Sequence, residues 1–518
     1  MKLLKFLKIN KQQEEEKTSK KIIRNTAWVY AGFIFNTLIG IALLPFIISH
    51  LGKDAYGVFA IVSVVIGYTS LLDFGIGTTL VKFISEYNVK KDYEKINKII
   101  STAFILYFIL AFIGCAVILL FTDYFVTSLF NIPENLMDVT RMVFAVTAVT
   151  FMFNFIFGVF GNVITGLQRF DISTKIQIIM KAVSAIAIVL VLYLGYGLLE
   201  FVIVSALLGV TGIIINIIIA KRLMPEISLI PRYFDFHYVR VITSFSFAIF
   251  IVSISTVTTL NIDKLLIGIF LPIEEVTIYA VGATLALVIW EIPSKIIQIF
   301  IPTSSEFEAK KDKESIKKLI LNGMKFEILI SIIFVIFYII FSKEIFLYWM
   351  GPEFEKSAII FNILMLGFFA NNMAQPVGSV SMGTGKTHLI VPYSVISIIL
   401  NVPISIFFIQ KWGVIGAALG TSVVMIFVWL LFTIHSCKLF NIKAHEILKE
   451  FSKIILIVVF LSLLLYLLHN SFPPCTLYEL MLSFIMFSLV YASLIFIFIM
   501  TKKDKDRLWQ YIFNSLKS

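Results

Sequence analysis

The feature that most constrains this chain is the recurrence, from near one end to the other, of apolar runs long enough to cross a bilayer. A spanning helix needs roughly 20 apolar residues, because the hydrocarbon layer is about 30 Å thick and a helix rises about 1.5 Å per residue. Runs on that scale occupy 24–48, 57–81, 97–121, 138–162, 176–195, 198–220, 240–270, 276–300, 318–346, 357–382, 388–409, 413–434, 453–470 and 477–500. Only Gly195-Tyr196-Gly197 parts the fifth from the sixth, and the seventh and ninth are long enough to tilt or protrude. Composition agrees: 59% of the 518 residues are hydrophobic and 14% charged, too little polar surface to cover a soluble core of this size. The expected fold class is all-α, a polytopic membrane protein of about fourteen helices.

The distribution of cations tests the count independently. With the N-terminus inside, alternate connections collect nearly all the Lys and Arg on one side. The outside connections hold only Lys53, Lys343, Lys356 and Lys411. This is the positive-inside pattern, and one missed or invented helix would invert it from that point on. Both termini are therefore expected in the cytoplasm, with the chain in the cell (plasma or inner) membrane. No outside connection has room for a catalytic or receptor domain, so function is expected among the helices.

Several other classes fall away. The net charge of +11 is spread in short runs between apolar stretches, which orients helices and does not form a nucleic-acid face. Cys115, Cys437 and Cys475 form no CxxC pair, and the six histidines form no ligand cluster; no metal is expected. The polar run 10–21 separates the first residues from the first apolar stretch, unlike a secretory signal. Lys2, Lys5 and Lys8 among apolar neighbours suit either an anionic leaflet or a solvated tail. Gly383-Thr384-Gly385-Lys386-Thr387 looks like the end of a phosphate-binding loop, but Val380 stands where that loop requires glycine, and no strand precedes it. No nucleotide is expected.

An internal repeat is visible. Residues 158–170 overlie 375–387 at a shift of 217: Gly161 meets Gly378, Val163 meets Val380, Gly166 meets Gly383 and Arg169 meets Lys386, while Asn154 meets Asn371. At nearby shifts Tyr56 pairs with Tyr279, Asp73 with Glu291, and Ser85-Glu86-Tyr87 with Ser305-Glu306-Phe307. Spans one to six then match spans seven to twelve, in parallel because six is even. The expected organisation is a basic segment 1–23, a first lobe 24–220, a linker 221–239, a second lobe 240–434, a loop with two appended helices 435–500, and a basic tail 501–518.

Arg24-Asn25-Thr26, Leu51 to Gly57, Asp73-Phe74-Gly75-Ile76-Gly77, Gly161 to Arg169, and Asn261 to Gly268 together resemble the polysaccharide (O-antigen type) flippases of the multidrug/oligosaccharidyl-lipid/polysaccharide exporter superfamily. The resemblance covers nearly the whole chain, and topology carries more of it than any single motif. It implies two six-helix lobes around a central cavity that opens to each side in turn, admitting the sugar-diphosphate head of a polyprenyl-linked glycan. It also implies coupling to a proton or sodium gradient, or to membrane potential, with no organic cofactor. Partners would be the lipid-linked glycan, the bilayer, and a glycan polymerase or glycosyltransferases of the same pathway.

Charges within spans cost from about 2.5 to over 10 kcal/mol each unless paired or hydrated. Arg24, Lys181, Lys264 and Lys295 are candidate diphosphate ligands, Arg24 with a guanidinium suited to bidentate contact. Asn154 and Asn371 could bind sugar or cross-link helices. Asp73, Asp263 and Glu291 are candidate coupling groups. Simpler roles compete: Arg24 as a headgroup anchor, Lys181 snorkelling, and Glu291–Lys295 neutralising one another at i,i+4. A flippase is the leading reading. A cation-coupled multidrug exporter of the same superfamily is the runner-up, and a membrane glycan polymerase or ligase, which would be an enzyme, is disfavoured by the short outside connections.

Overall fold

The computed structural model describes the backbone of residues 2–229, 233–297 and 299–499. The basic tail expected over 501–518 lies outside the described residues. Among the described residues the chain is helical throughout, with no strand. Among the described residues, eleven helical segments are long and apolar enough to cross a membrane. One of these, Thr387–Leu439, contains both runs expected at 388–409 and 413–434. Large apolar side chains cover the exterior of both units: Leu120 and Tyr193 in the first, and Leu456, Leu489 and Phe498 in the second, are each more than half exposed. On a water-soluble protein so much apolar surface would aggregate, whereas in lipid it is solvated.

The chain divides into two compact units, Met1–Thr277 and Ile278–Ser518. The first comprises α1 (Lys2–Leu51), α2 (Lys53–Thr69), α3 (Ile76–Val89), α4 (Tyr93–Tyr124), α5 (Glu134–Gly166), α6 (Phe170–Tyr193), α7 (Leu198–Leu223) and α8 (Phe236–Phe270). Within it α5 packs on α4 and α7, α1 lies along α6, and α8 packs on α2, α3 and α4. The second contains most of α9 (Ile273–Ile297), then α10 (Phe300–Ala309), α11 (Lys313–Met350), α12 (Glu355–Gly383), α13 (Val391–Leu439), α14 (Ala444–Ser471) and α15 (Leu477–Leu494). There α12 packs between α11 and α13, and α14 and α15 lie against α11.

The second expected span, 57–81, is not one helix. After α2 comes a 3-10 turn over Ser70–Asp73, then Phe74 and Gly75 in left-handed conformation (φ 46° and 77°), and only then α3. A bulky side chain at positive φ is rare. Hydropathy alone missed the break because apolar residues continue through it. The elements expected at 388–409 and 413–434 are by contrast fused into α13, with Gly413 (φ 58°, ψ −139°) as the one non-helical residue inside it. Beside that bend Gly416 meets the Phe408 carbonyl so closely that a Cβ would stand 2.0 Å from its oxygen.

Local structure recurs between the two units. Residues 85–96 (SEYNVKKDYEKI) and 305–316 (SEFEAKKDKESI) build the same helix–turn–helix at a shift of 220. Lys91 and Lys311 both take left-handed conformation (φ 55° and 54°). Asp92 N–H donates to the Tyr87 carbonyl (3.0 Å) and Asp312 N–H to the Phe307 carbonyl (2.9 Å). Asp92 and Asp312 then cap α4 and α11, accepting from Lys95 N–H and Ser315 N–H. Farther on, Gln168 (φ 57°) and Gly385 (φ 73°) close matching turns, in which Arg169 N–H reaches Ile164 and Lys386 N–H reaches Ser381. These are Schellman ends, which satisfy carbonyls a helix otherwise leaves bare.

The same correspondence runs through the packed interiors. Ile96 and Ile100 of α4 meet Phe160 and Val163 of α5 in the first unit. Ile316 and Ile320 of α11 meet Val377 and Val380 of α12 in the second. At the crossings Gly166 lies against Ile84, and Gly383 against Ser304 and the Ile301 carbonyl, each too close for a Cβ. Lipid is as apolar as these side chains, so close packing rather than water exclusion holds such helices together, and small residues permit it.

Candidate functional site

The broken helix at Asp73 organises a polar cluster inside the first unit. The carboxylate sits at the start of α3, where one oxygen accepts from Gly77 N–H at 3.2 Å. A carboxylate there meets free N–H groups and the positive end of the helix dipole. The same oxygen accepts the Tyr107 hydroxyl of α4 at 2.5 Å. Tyr107 is buried, and Asn162 of α5 hydrogen-bonds it as well. Asn162 Nδ2 also lies 3.1 Å from where a Cβ on Gly77 would stand. Three helices thus converge on one half-buried carboxylate, held by backbone and hydroxyl donors, with Phe74 against the Phe250 ring of α8 beside it.

The other residues singled out in this unit are more dispersed. Arg24 is exposed on α1, near enough for its charge to act on Asp171. Asp171 is buried at the start of α6 and holds Arg169 at 3.1 Å. Asn25, next to Arg24, donates to the Gln168 carbonyl at 3.1 Å, which ties the foot of α1 to the turn before α6. Lys181 is half-buried on α6, one turn beyond Ile178, which lies against Gly32 of α1. Asn154 donates to the Thr150 carbonyl of its own helix at 2.8 Å and faces Gly209 of α7. Asp263 of α8 is buried, and its charge acts on the adjacent Lys264.

In the second unit the structure brings three of the predicted residues onto one stretch of α9 and α12. Glu291 and Lys295 approach to 3.8 Å at i,i+4, each side chain more than a third exposed. Trp290, next to Glu291, donates its indole N–H to Asn371 Oδ1 at 3.3 Å and packs on Phe368. The repeat partners therefore differ in contact. Asn154 bonds within its own helix, whereas Asn371 links two helices. Asp73 serves a backbone N–H and a tyrosine, whereas Glu291 faces a lysine.

Sequence reading missed three members of these sites. Tyr107 and Asn162 carry no charge and become visible only when α4 and α5 are laid against α3. Glu327 of α11, within the run expected at 318–346, was not among the candidate charges. It is buried beside Ser331, and Asn372 of α12 reaches the same hydroxyl.

Comparison with known proteins agrees with this architecture. Residues 22–308 match the family model described as polysaccharide biosynthesis protein, and 248–407 match the MatE model. The "Putative O-antigen transporter" of Shigella flexneri is 22% identical over 405 residues, 78% of this chain and 94% of that protein. A "Probable low-salt glycan biosynthesis flippase Agl15" of Haloferax volcanii is 24% identical over 160 residues, 31% of this chain and 34% of its own. Among solved structures, the lipid II flippase MurJ in an inward closed conformation superposes with a TM-score of 0.68 at 14% identity, covering 92% of this chain and 99% of that one. An inward-facing multidrug resistance MATE family transporter of the MOP superfamily gives 0.65 at 13% identity, covering 78% and 94%. With a MurJ- and MATE-like helical fold and a family model matched over more than half its length, this chain belongs to the polysaccharide biosynthesis protein family.

Proposed function

We propose that this protein is a flippase that moves a polyprenyl-diphosphate-linked oligosaccharide from the inner to the outer leaflet of the cell membrane by alternating access, for assembly of a surface polysaccharide or glycoconjugate. The observation that carries the reading is the relationship to an O-antigen transporter along nearly that protein's whole length, together with the family match over 22–308. The chemistry of the spans supports it. A diphosphate cannot cross hydrocarbon unaided, and Arg24, Lys181, Lys264 and Lys295 supply cations at or within the apolar segments. The distribution of Lys and Arg supports both termini in the cytoplasm.

Deletion of the gene tests this directly. Intact lipid-linked oligosaccharide should accumulate on the inner leaflet, where an impermeant glycan-oxidising or glycan-binding reagent applied from outside does not reach it. Normal glycan export in the deletion strain, accompanied by sensitivity to small cationic drugs, would replace the flippase with a multidrug exporter. That second reading is favoured by one observation, the match of 248–407 to the MatE model.

A further inference from the structure

The second unit buries an acid that none of the contacts described so far explains. Glu327 lies in α11 with 1% of its surface exposed. One oxygen, Oε2, has the Ser331 hydroxyl at 3.5 Å, a long contact, and the other, Oε1, has no hydrogen-bond partner. Asn372 Nδ2 lies 3.5 Å from Ser331 Oγ, and Gln375 donates to Asn372 Oδ1 at 3.2 Å. The polar groups thus run Glu327–Ser331–Asn372–Gln375 across the α11–α12 contact.

Two features make this a built position. Gly323, one turn before Glu327, lets Pro376 of α12 approach so closely that a Cβ there would stand 2.9 Å from the proline Cβ. Pro376 has no N–H, so the Asn372 carbonyl lacks its helical donor at the level of the cluster. Among the described residues no cation balances the acid. Among the described titratable groups on elements packed on α11, Tyr491 of α15 donates to the Leu329 carbonyl at 2.6 Å. Glu446 of α14 pairs with Lys317, and His469 of α14 pairs with Glu344. At this level α12 contributes amides, and α10 contributes Phe300, packed on Gly323.

An ionised carboxylate in such a place loses its water and gains no counter-charge, at a cost of several kcal/mol. The protonated acid is neutral, and it can donate to the Ser331 hydroxyl while leaving a single oxygen bare. If the acid were only filler, glutamine would serve as well without the risk of ionising.

We propose that Glu327, with Ser331, Asn372 and the proline break of α12, forms a proton-binding site within the second unit, loaded in the conformation seen here and emptied in another state of the transport cycle. Loading transfers one proton from water to a carboxylate oxygen, and release returns it. The coupling role rests on the transport reading above; the protonation itself does not.

Infrared spectroscopy of the full-length protein in lipid tests the protonation. The carbonyl band of a buried carboxylic acid should be present at neutral pH, disappear on alkaline titration, and be missing in Glu327→Gln. Absence of any band assignable to Glu327, or its removal by sodium ions at fixed pH, would overturn the assignment. In a deletion strain, Glu327→Gln should export at least tenfold less glycan at unchanged protein level, and Glu327→Asp should recover part of it. Export by Glu327→Gln equal to the parent would overturn a coupling role even with the infrared band in place. Failure of the flippase reading itself shows instead as absence of trapped lipid-linked glycan on deletion, and leaves the infrared result intact.

Discussion

Tyr107→Phe removes one hydroxyl from a position where the structure allows its worth to be bracketed. The hydroxyl is one of two donors to the same Asp73 oxygen, at 2.5 Å, the other being Gly77 N–H at 3.2 Å. Hydrogen bonds to charged groups contribute about 1.5–3 kcal/mol, whereas interhelical bonds measured within a bilayer average about 0.6 kcal/mol. Asp73 is half-buried at a break in its helix, with little freedom to find another partner. Asn162 hydrogen-bonds Tyr107 and lies beside Gly77, so part of the loss can be recovered if its amide turns toward the acid. The expected coupling in a Tyr107→Phe/Asp73→Asn cycle is therefore about 1–2 kcal/mol, between those limits. That is roughly a five- to thirtyfold change in the folding equilibrium. Unfolding of the full-length protein in mixed micelles, measured for the parent, both single variants and the double variant, reads it. A coupling below about 0.3 kcal/mol, the level seen for independent sites, would refute the cluster as an energetic unit.

Gly57→Ala should destabilise the first unit by about 1–3 kcal/mol through overpacking. Its Cβ would stand 2.3 Å from the Ile273 carbonyl oxygen, a backbone atom that cannot rotate away; an unchanged melting temperature in detergent would contradict this. Arg24→Ala and Lys181→Ala should each reduce glycan export without lowering protein level, and full export in both would remove them from the site. The caps of α4 and α11 should weaken in acid. Lys95 and the capped N–H hold Asp92 below the usual carboxylate range, and the Ser315 hydroxyl and N–H do the same for Asp312. A depressed carboxylate stabilises the fold above its unfolded pKa of about 3.9 and loses that contribution as pH falls through the folded value. Amide protection of Lys95 and Ser315, corrected for intrinsic exchange, should fall in that window. It should become flat with pH in Asp92→Asn and Asp312→Asn, which keep a cap.

The membrane fold was legible because burial in lipid demands long apolar helices. The repeat was legible at Gly161–Arg169 and Gly378–Lys386, where the turn and the close crossing restrict which residues fit. It is visible also at Ser85-Glu86-Tyr87, whereas Lys90-Lys91-Asp92 and Lys310-Lys311-Asp312 read as ordinary loop charges in sequence and match only through the shared left-handed turn. The break after Asp73 could not be read from hydropathy, because Leu71, Leu72, Phe74 and Ile76 continue the apolar run straight through it. The acids were findable as acids. What could not be found was their company: Tyr107 and Asn162 about Asp73, or Ser331 and Asn372 about Glu327, are set by helix packing across long stretches of chain.

The turns closed by Lys91, Gln168, Lys311, Gly385 and Asn441 carry a further consequence. Each folds its helix end back on itself, through Asp92, Arg169, Asp312, Lys386 and Ile442 N–H to a carbonyl five residues earlier. A helix end finished this way asks little of its surroundings for its last carbonyls, so moving it between water and the headgroup layer strips few hydrogen bonds from the solvent. Such ends can rise and sink by part of a helical turn at little cost, a tolerance that ends relying on solvent to satisfy their carbonyls would lack.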